Sequence, residues 1–285
     1  MRKFVLLGIL LVLISSLSMV SAQDDDLNTI VFPSLVSGET VVGTFEGTTT
    51  MRLYAFNGLE GDEVSVTMVQ DEESLIDPFI VLLGPRGEVI AYNDDSEDED
   101  DTALSSAIVD AELPADGSYL VVATTLADLR GVSETELEEP VEYEITMEGA
   151  SEVEIPEGES PIQLAGIQVE AGQSGSLEVT FAEPVYYIFF MAEEGQTVSI
   201  ETSEAADTET PLGDTMVWVF DRDGNRIAGA DDIDQNLFAS AEFEAPYTGA
   251  YMAFATSPFF YFAADVEDEE EFLGAGVFNI AINAE

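Results

Sequence analysis

The chain contains no cysteine and no histidine, and its only lysine is Lys3. Without Cys and His it can form no disulfide, no Ser-His-Asp triad, no Cys nucleophile and no ordinary zinc or copper site. Without a further Lys it offers neither a Schiff base nor the lysine of a phosphate-binding loop. Only carboxylates remain as candidate catalytic groups, and we expect a protein that is not an enzyme.

Basic residues are almost as scarce. The 285 residues include 59 Asp and Glu but only seven Lys and Arg, which gives a net charge of −52. Beyond residue 22 the basic residues are all arginines: Arg52, Arg86, Arg130, Arg222 and Arg226. Nucleic acid is excluded as a partner, because binding a polyanion requires clusters of Lys and Arg. Divalent cations and cationic surfaces are the partners that this charge favours, whereas adaptation to high salt is an alternative cause of the acidity.

The first 22 residues have the pattern of a secretory signal peptide. Arg2 and Lys3 precede an apolar run from Phe4 to Leu17, and Val20-Ser-Ala22 is typical of a cleavage site. The apolar run is shorter than the ~20 residues that a membrane span needs. We therefore expect an extracytoplasmic protein, either secreted, periplasmic or at the cell surface, with no membrane span after signal cleavage.

The two halves of the chain carry the same pattern. Residues 77–95 align without a gap with residues 214–232, so that Asp77, Gly87 and Asp94-Asp95 return 137 residues later as Asp214, Gly224 and Asp231-Asp232. Other matching segments have different offsets, which indicates loop insertions and an old duplication of one domain. We predict a signal peptide (1–22), an acidic leader (23–37), a first repeat (38–150), a linker (151–161) and a second repeat (162–285).

Within each repeat the apolar pattern is typical of β-strands. Residues 63–68 and 197–202 alternate with a period of two, as half-buried strands do, while Phe79–Leu83 and Met216–Phe220 are short apolar runs suited to strands deep in a sandwich. No window of a dozen residues outside the signal forms a convincing amphipathic helix. The prediction is an all-β fold of two tandem antiparallel β-sandwiches.

Several of these motifs belong together in one known family. An apolar strand followed by Gly87-x-x-x-Ala-x-Asn-Asp94-Asp95, and then Leu113-Pro-Ala-Asp-Gly-Ser-Tyr119, resembles the bacterial pre-peptidase C-terminal domain. The resemblance covers Gly38 to Gly149 and, more weakly, Gly172 to Glu285. It implies jelly-roll-like β-sandwiches that serve secreted peptidases and surface proteins as non-catalytic modules, some of which bind calcium or an extracellular polymer. The second repeat departs from the pattern at Ala230 and Thr248.

Six aspartates are candidate metal ligands: Asp77, Asp94 and Asp95, with Asp214, Asp231 and Asp232 in the second repeat. An antiparallel hairpin returns each Asp pair to the sheet end where the first Asp lies, and calcium needs several oxygen ligands on loops at one such end. The alternative is that they are solvated turn residues, which Asp favours by capping its own backbone. The acidic runs 96–101 and 265–271 are expected to extend the negative field more than the ligand shell.

Four consecutive aromatic residues stand at Phe259, Phe260, Tyr261 and Phe262, whereas the aromatic residues of 186–190 are explained by a strand of the repeat. On a strand, consecutive side chains point to opposite faces, so two of the four rings should face away from the core. One interpretation is a partner-binding surface for a saccharide or a protein. The other is a strand packed against the loop of residues 263–272 or against the other domain.

The sequence favours a secreted or cell-surface, non-catalytic tandem β-sandwich protein, stabilised by calcium, which acts as a binding, adhesion or accessory module. Its expected partners are divalent cations and an extracellular polymer or surface protein. Two alternatives stay open: a carboxylate-dependent polysaccharide-active enzyme, and a purely structural envelope spacer. A spacer predicts no saturable ligand.

Overall fold

The fold is all-β, as predicted. The computed structural model describes residues 19–21, 30, 32–70, 76–95, 105–129, 137–153, 162, 164–206, 208–231, 237–266 and 272–285. Most of the predicted signal peptide, leader and linker therefore lies outside the described residues. Among those residues, no helix is both long and apolar enough to cross a membrane.

The first sandwich consists of two four-stranded sheets, in which every neighbouring pair of strands is antiparallel. Its outer sheet contains, in spatial order, β2 (Thr40–Gly47), β9 (Leu137–Glu148), β4 (Glu63–Gln70) and β7 (Ser105–Glu112). Its inner sheet contains β3 (Arg52–Gly58), β8 (Gly117–Thr125), β5 (Pro78–Leu83) and β6 (Val89–Asn93). A short helix, α1 (Leu126–Leu129), follows β8.

The second sandwich repeats this strand order element by element. Its outer sheet contains β11 (Gln173–Val179), β18 (Gly276–Ala284), β13 (Thr197–Glu204) and β16 (Ser240–Glu244). Its inner sheet contains β12 (Val185–Ala192), β17 (Gly249–Thr256), β14 (Met216–Phe220) and β15 (Arg226–Ala230). A 3₁₀-helix (Phe260–Ala264) follows β17, in the place that α1 occupies in the first sandwich.

Segments that precede each sandwich cover one edge of its inner sheet. In the second sandwich, β10 (Ala165–Gln168) runs parallel to β12, and β1 (Met19–Ser21) pairs with β10. In the first, Ser34 forms a parallel bridge with Ala55. Ile30, Phe32 and Leu35 are buried, so the folded part of the first sandwich begins within the predicted leader. Strand β1 falls within the predicted signal peptide, and cleavage would take it away from the sheet.

Each sandwich has its own apolar core between its outer and inner sheets. A third core lies between the two inner sheets, so the molecule is a stack of four sheets. From the first repeat this core takes Leu53, Phe79, Val81, Leu83, Leu120 and Val122; from the second it takes Tyr187, Met216, Trp218, Phe220, Met252 and Phe254.

The third core explains the continuous apolar runs in β5 and β14. Alternate residues of β5 enter different cores: Phe79, Val81 and Leu83 face the second repeat, whereas Ile80 and Leu82 face the outer sheet of their own sandwich. Both faces of the strand are therefore buried, and alternation disappears from its sequence. The prediction of deeply buried strands is right, and the covering layer on one face is the other repeat.

Each of the two hairpin turns packs against the other repeat. The carbonyl of Gly87 accepts a hydrogen bond from Val185 N–H at 3.3 Å, and the carbonyl of Gly224 accepts one from Leu53 N–H at 2.7 Å. A Cβ atom at Gly87 would lie 1.8 Å from Val185 O, and one at Gly224 would lie 2.4 Å from Leu53 O. Glycine therefore recurs at these aligned positions because the backbone of the other repeat approaches, as well as because φ is positive.

Replacing Gly224 by alanine tests this close approach, and Gly195 provides a matched control. Both glycines have a φ of +79°, but a Cβ at Gly195 meets no atom within 4 Å. Gly195→Ala should lower the free energy of unfolding by about 1–2 kcal/mol, from the left-handed backbone alone. Gly224→Ala should lower it by about 1–3 kcal/mol more, because β3 must shift as in an overpacked core. Urea unfolding measures both values, and equal losses would contradict the contact.

Candidate functional site

The predicted acidic residues lie at one end of each inner sheet. In the first sandwich, Ile80 pairs with Asn93, so Asp94 and Asp95 follow β6 at the end where Asp77 precedes β5. In the second, Val217 pairs with Ala230, which places Asp231 at the end where Asp214 precedes β14. This is the juxtaposition that the hairpin argument predicts.

These carboxylates do not by themselves form a metal site. Among the side chains that the structure describes, no three acidic groups come together in an arrangement that could hold a metal ion. Asp95 is exposed, and Asp94 is half-buried. Asp232 and the acidic run 96–101 lie outside the described residues. Calcium binding therefore stays a prediction.

The acidic residue of the Leu-Pro-Ala-Asp-Gly motif has a structural role. Asp116 Oδ1 accepts a hydrogen bond from Glu60 N–H at 2.8 Å. In the second repeat Thr248 Oγ1 accepts the equivalent bond from Glu194 N–H at 2.9 Å. The change from Asp to Thr therefore preserves the hydrogen bond while it removes a charge, and it says nothing against the second repeat as a folded module.

The asparagine of the Asn-Asp-Asp motif connects the two sheets of the first sandwich. Asn93, at the end of β6, accepts a hydrogen bond through Oδ1 from Ala107 N–H in β7 at 3.1 Å. Ala230 occupies its place in the second repeat and has no such side chain. There Thr215 Oγ1, just before β14 of the inner sheet, accepts a hydrogen bond at 3.2 Å from Ala239 N–H, just before β16 of the outer sheet. The two repeats thus close the same edge of the sandwich with different polar groups.

A buried ion pair joins the two repeats beside α1. Arg226 Nη1 donates to Asp128 Oδ1 at 2.7 Å, and Arg226 Nη2 donates to the carbonyl of Thr48 at 2.9 Å. Thr50 Oγ1 donates to the second oxygen, Asp128 Oδ2, at 2.8 Å. The side chains of Arg226 and Asp128 are 14% and 3% exposed. We call this contact the ionic seam; its partners lie 98 residues apart, and no local sequence pattern connects them.

The aromatic cluster forms the corresponding contact beside the 3₁₀-helix, and we call it the aromatic seam. Phe260 packs against Trp218 with ring centroids 5.7 Å apart. Tyr261 packs against Phe79 and Tyr92 of the first repeat, at 5.6 and 5.2 Å. The rings therefore fill the boundary between the repeats, which agrees with the second interpretation of this segment.

Two expectations for the aromatic cluster need correction. The segment is a 3₁₀-helix and not a strand, because one helical turn directs neighbouring rings into the third core. Phe260 and Tyr261 are buried there and cannot contact an external partner. Phe259 and Phe262 remain 40% and 41% exposed, so half of the predicted partner surface is on the outside.

Buried tyrosines supply further polar contacts across and within the repeats. Tyr187 is fully buried in the third core, and its hydroxyl donates to Gly84 O of the first repeat at 2.8 Å. Burial raises its pKa well above the usual 10.0. The hydroxyls of Tyr143 and Tyr54 share a hydrogen bond of 2.9 Å, and burial likewise raises the pKa of Tyr143. The partners lie 103 and 89 residues apart, and no local sequence pattern indicates these pairs.

The outer sheet of the second sandwich has a shallow depression of about 510 Å³. Three glutamates, Glu201, Glu242 and Glu285, line it beside Ser199 and Asn283. A polysaccharide-active enzyme needs a carboxylate pair flanked by aromatic platforms for the sugar rings. The lining of this depression contains no aromatic ring, so it does not supply the site that the enzyme alternative requires.

Breaking the ionic seam should be strongly destabilising. Asp128→Ala leaves the Arg226 guanidinium buried without a counter-charge, and we expect a loss of about 3–5 kcal/mol in the free energy of unfolding. Arg86→Ala is the control, because it removes an ion pair with Glu88 in which Arg86 is 64% exposed; it should change stability by less than about 1 kcal/mol. Similar values in denaturant unfolding would show that the seam holds no buried pair.

Buried tyrosines should make the protein less stable in alkali. A tyrosine whose pKa is raised in the folded state keeps its proton there, but loses it in the unfolded chain once the pH exceeds 10.0. Unfolding then releases protons, so the free energy of unfolding should fall with rising pH, by up to about 1.4 kcal/mol per unit for each such group.

Tyr187→Phe separates the contribution of one group to this alkaline loss. At neutral pH the variant should be about 0.5–1.5 kcal/mol less stable, because Gly84 O loses one donor and keeps the N–H of Gly87. Above pH 10 its stability should fall less steeply with pH than that of the parent chain. Denaturant unfolding at a series of pH values tests this, and identical slopes would contradict the buried state of the Tyr187 hydroxyl.

No protein-family model and no curated protein matches the chain. Among solved structures, the pre-peptidase C-terminal domain of a collagenase from Bacillus anthracis is similar over 41% of this chain and 95% of its own, with 13% identity and a TM-score of 0.29. PliG of Aeromonas hydrophila, a periplasmic inhibitor of g-type lysozyme, is similar over 41% and 96%, with 18% identity and a TM-score of 0.26. The CUB1-EGF-CUB2 region of human MASP-1/3 is similar over 85% and 99%, with 9% identity and a TM-score of 0.17.

Proposed function

We propose that the protein is an extracytoplasmic, non-catalytic binding, adhesion or accessory module, built from two sandwiches of the pre-peptidase C-terminal type. The observation that carries this proposal is that the buried polar groups form structural contacts and none of the contacts described above assembles a catalytic site. Asp128, Arg226, Thr215 and Tyr187 all hold sheets or repeats together. Carboxylates and two aromatic rings face outward. Such a surface suits the binding of a partner.

The motifs of the first repeat support the family assignment, and the structure gives them physical roles. Asn93 and Asp116 are hydrogen-bond acceptors that hold the sandwich closed. The second repeat keeps the strand order, and Thr248 and Thr215 accept the corresponding bonds there. An ordered pair of sandwiches is the expected form of a module that presents a surface.

The burial of Phe260 and Tyr261 removes half of the predicted partner surface. This favours the spacer alternative. Phe259 and Phe262 are compatible with a binding role, because the two rings stay 40% and 41% exposed. The two functions differ in whether a saturable ligand exists.

Calcium is the first ligand to test, and we propose that it stabilises the acidic ends of the inner sheets. The support is the shared position of Asp77 with Asp94, and of Asp214 with Asp231. Calcium near 1 mM, with a Kd of about 0.1–1 mM, would add about 0.4–1.4 kcal/mol per site. Thermal unfolding of the chain from Gln23 to Glu285, at fixed ionic strength, should show a saturable rise in Tm with calcium that exceeds the rise with magnesium.

Charge-matched variants give this measurement its control. Asp94→Asn/Asp95→Asn should abolish the calcium response of the first repeat, whereas Glu201→Gln/Glu242→Gln removes two charges from the outer sheet and should leave it unchanged. Equal shifts with calcium, magnesium and added NaCl would show that the acids act as screened surface charge. The calcium proposal would then be withdrawn.

A further inference from the structure

The exposed part of the aromatic seam forms a defined patch. Phe259 and Phe262 are 40% and 41% exposed, and Phe262 stands edge-on to Tyr92, with ring centroids 6.4 Å apart. The Tyr92 hydroxyl donates to the exposed carboxylate of Asp265. Asp94 follows Tyr92 by two residues at the end of β6. We call these five residues the aromatic patch; it combines ring surfaces with carboxylates and draws on both repeats.

In the part of the chain that the structure describes, no cation is spare for this patch. Each arginine within the described residues is already engaged: Arg86 with Glu88, Arg226 with Asp128, Arg52 over the ring of Tyr54, and Arg222 over the ring of Tyr247. Two of these contacts are cation–π pairs, with the guanidinium carbon 5.6 and 4.5 Å from the ring centroid. Two described arginines thus lie on the rings of Tyr54 and Tyr247, and no described arginine lies on a ring of the patch.

The aromatic rings and carboxylates of the patch favour an organic cation as the ligand. Aromatic rings attract cations through their negative faces, and neighbouring carboxylates strengthen that attraction. A metal ion would gain nothing from the phenyl rings, and the described carboxylates include no group of three for it. A second copy of this chain carries the same net charge of −52 and would be repelled. A neutral saccharide would leave the charge of the carboxylates uncompensated.

We infer that the aromatic patch binds arginine or lysine side chains of a basic segment in a partner protein. This inference rests on the proposed binding function and names its partner class. The partner's cationic groups would lie over the exposed rings of Phe259 and Phe262 and pair with Asp265. The surrounding negative field would speed the encounter, and the rings would give the contact its position.

Fluorescence anisotropy with a labelled peptide of twelve residues, in which Arg and Gly alternate, tests the inference on the chain from Gln23 to Glu285. The measurement is made near physiological ionic strength, so that long-range attraction is screened. Phe259→Ser/Phe262→Ser should raise the Kd about 5- to 30-fold, which corresponds to about 0.5–1 kcal/mol for each ring. Both rings are exposed, and unchanged thermal unfolding of the variant would show that it is folded.

Val42→Ser/Val109→Ser is the matched control, because it removes two exposed apolar side chains from the outer sheet of the first sandwich. It should change the Kd less than about 2-fold, a difference of under about 0.5 kcal/mol. Equal affinity of the parent chain and the Phe variant would overturn the patch, since binding would then be diffuse attraction to a polyanion. Displacement of the peptide by a neutral oligosaccharide would overturn the partner class.

The test separates this inference from the proposed function. If the parent chain does not bind the peptide at all, the cationic partner is refuted, while the calcium titration still decides whether the sandwiches bind a ligand. If calcium has no selective effect but the peptide binds through the two rings, the binding function and its partner class both stand, and only the metal proposal is lost.

Discussion

Apolar contact between the two inner sheets determines how the rest of the molecule is arranged. It buries both faces of β5 and β14, brings each hairpin turn against the first inner strand of the other repeat, and creates the two seams. A chain with a net charge of −52 tends to push its halves apart. The buried side chains of this core, each worth about 1.5–3 kcal/mol, supply the opposing attraction. The acidic surface is tolerable because the apolar contact is large and central.

Most of the described arginines contact groups of the protein itself, at the boundary between the repeats or on tyrosine rings. Arg226 is buried between the repeats and bonds to both Asp128 and a backbone carbonyl. Arg52 and Arg222 lie over tyrosine rings, and so their charges are held close to the protein surface. At the surface, Arg86 pairs with Glu88, and no other described arginine forms an ion pair with an outer carboxylate. The surface field therefore acts on whatever lies in solution.

The fold class, the hairpins and the repeat could be predicted from the sequence alone, because alternation and turn residues are local properties of the chain. It could not give the third core, since a run such as Phe79–Leu83 has the same pattern whatever covers its second face. The cluster around Phe260 was predicted as a strand from its high β-propensity, and tertiary burial prevailed over that preference. Asp128 and Arg226 had no local signal at all. The recurrence of glycine at Gly87 and Gly224 did not reveal the contact either, since a turn with a positive φ favours glycine by itself.

The two seams differ in chemistry, although they occupy corresponding places in the two repeats. Two identical domains related by a two-fold axis must form two identical contacts, because each residue pair occurs twice. Here one contact is an ion pair beside α1, and the other is a set of aromatic rings beside the 3₁₀-helix. Covalent linkage allowed the two seams to diverge, since a change in one repeat alters only one of them. The ionic seam keeps its polar groups buried, whereas the aromatic seam leaves Phe259 and Phe262 exposed. The duplicated fold therefore presents this patch once per chain, at a boundary that no single sandwich possesses.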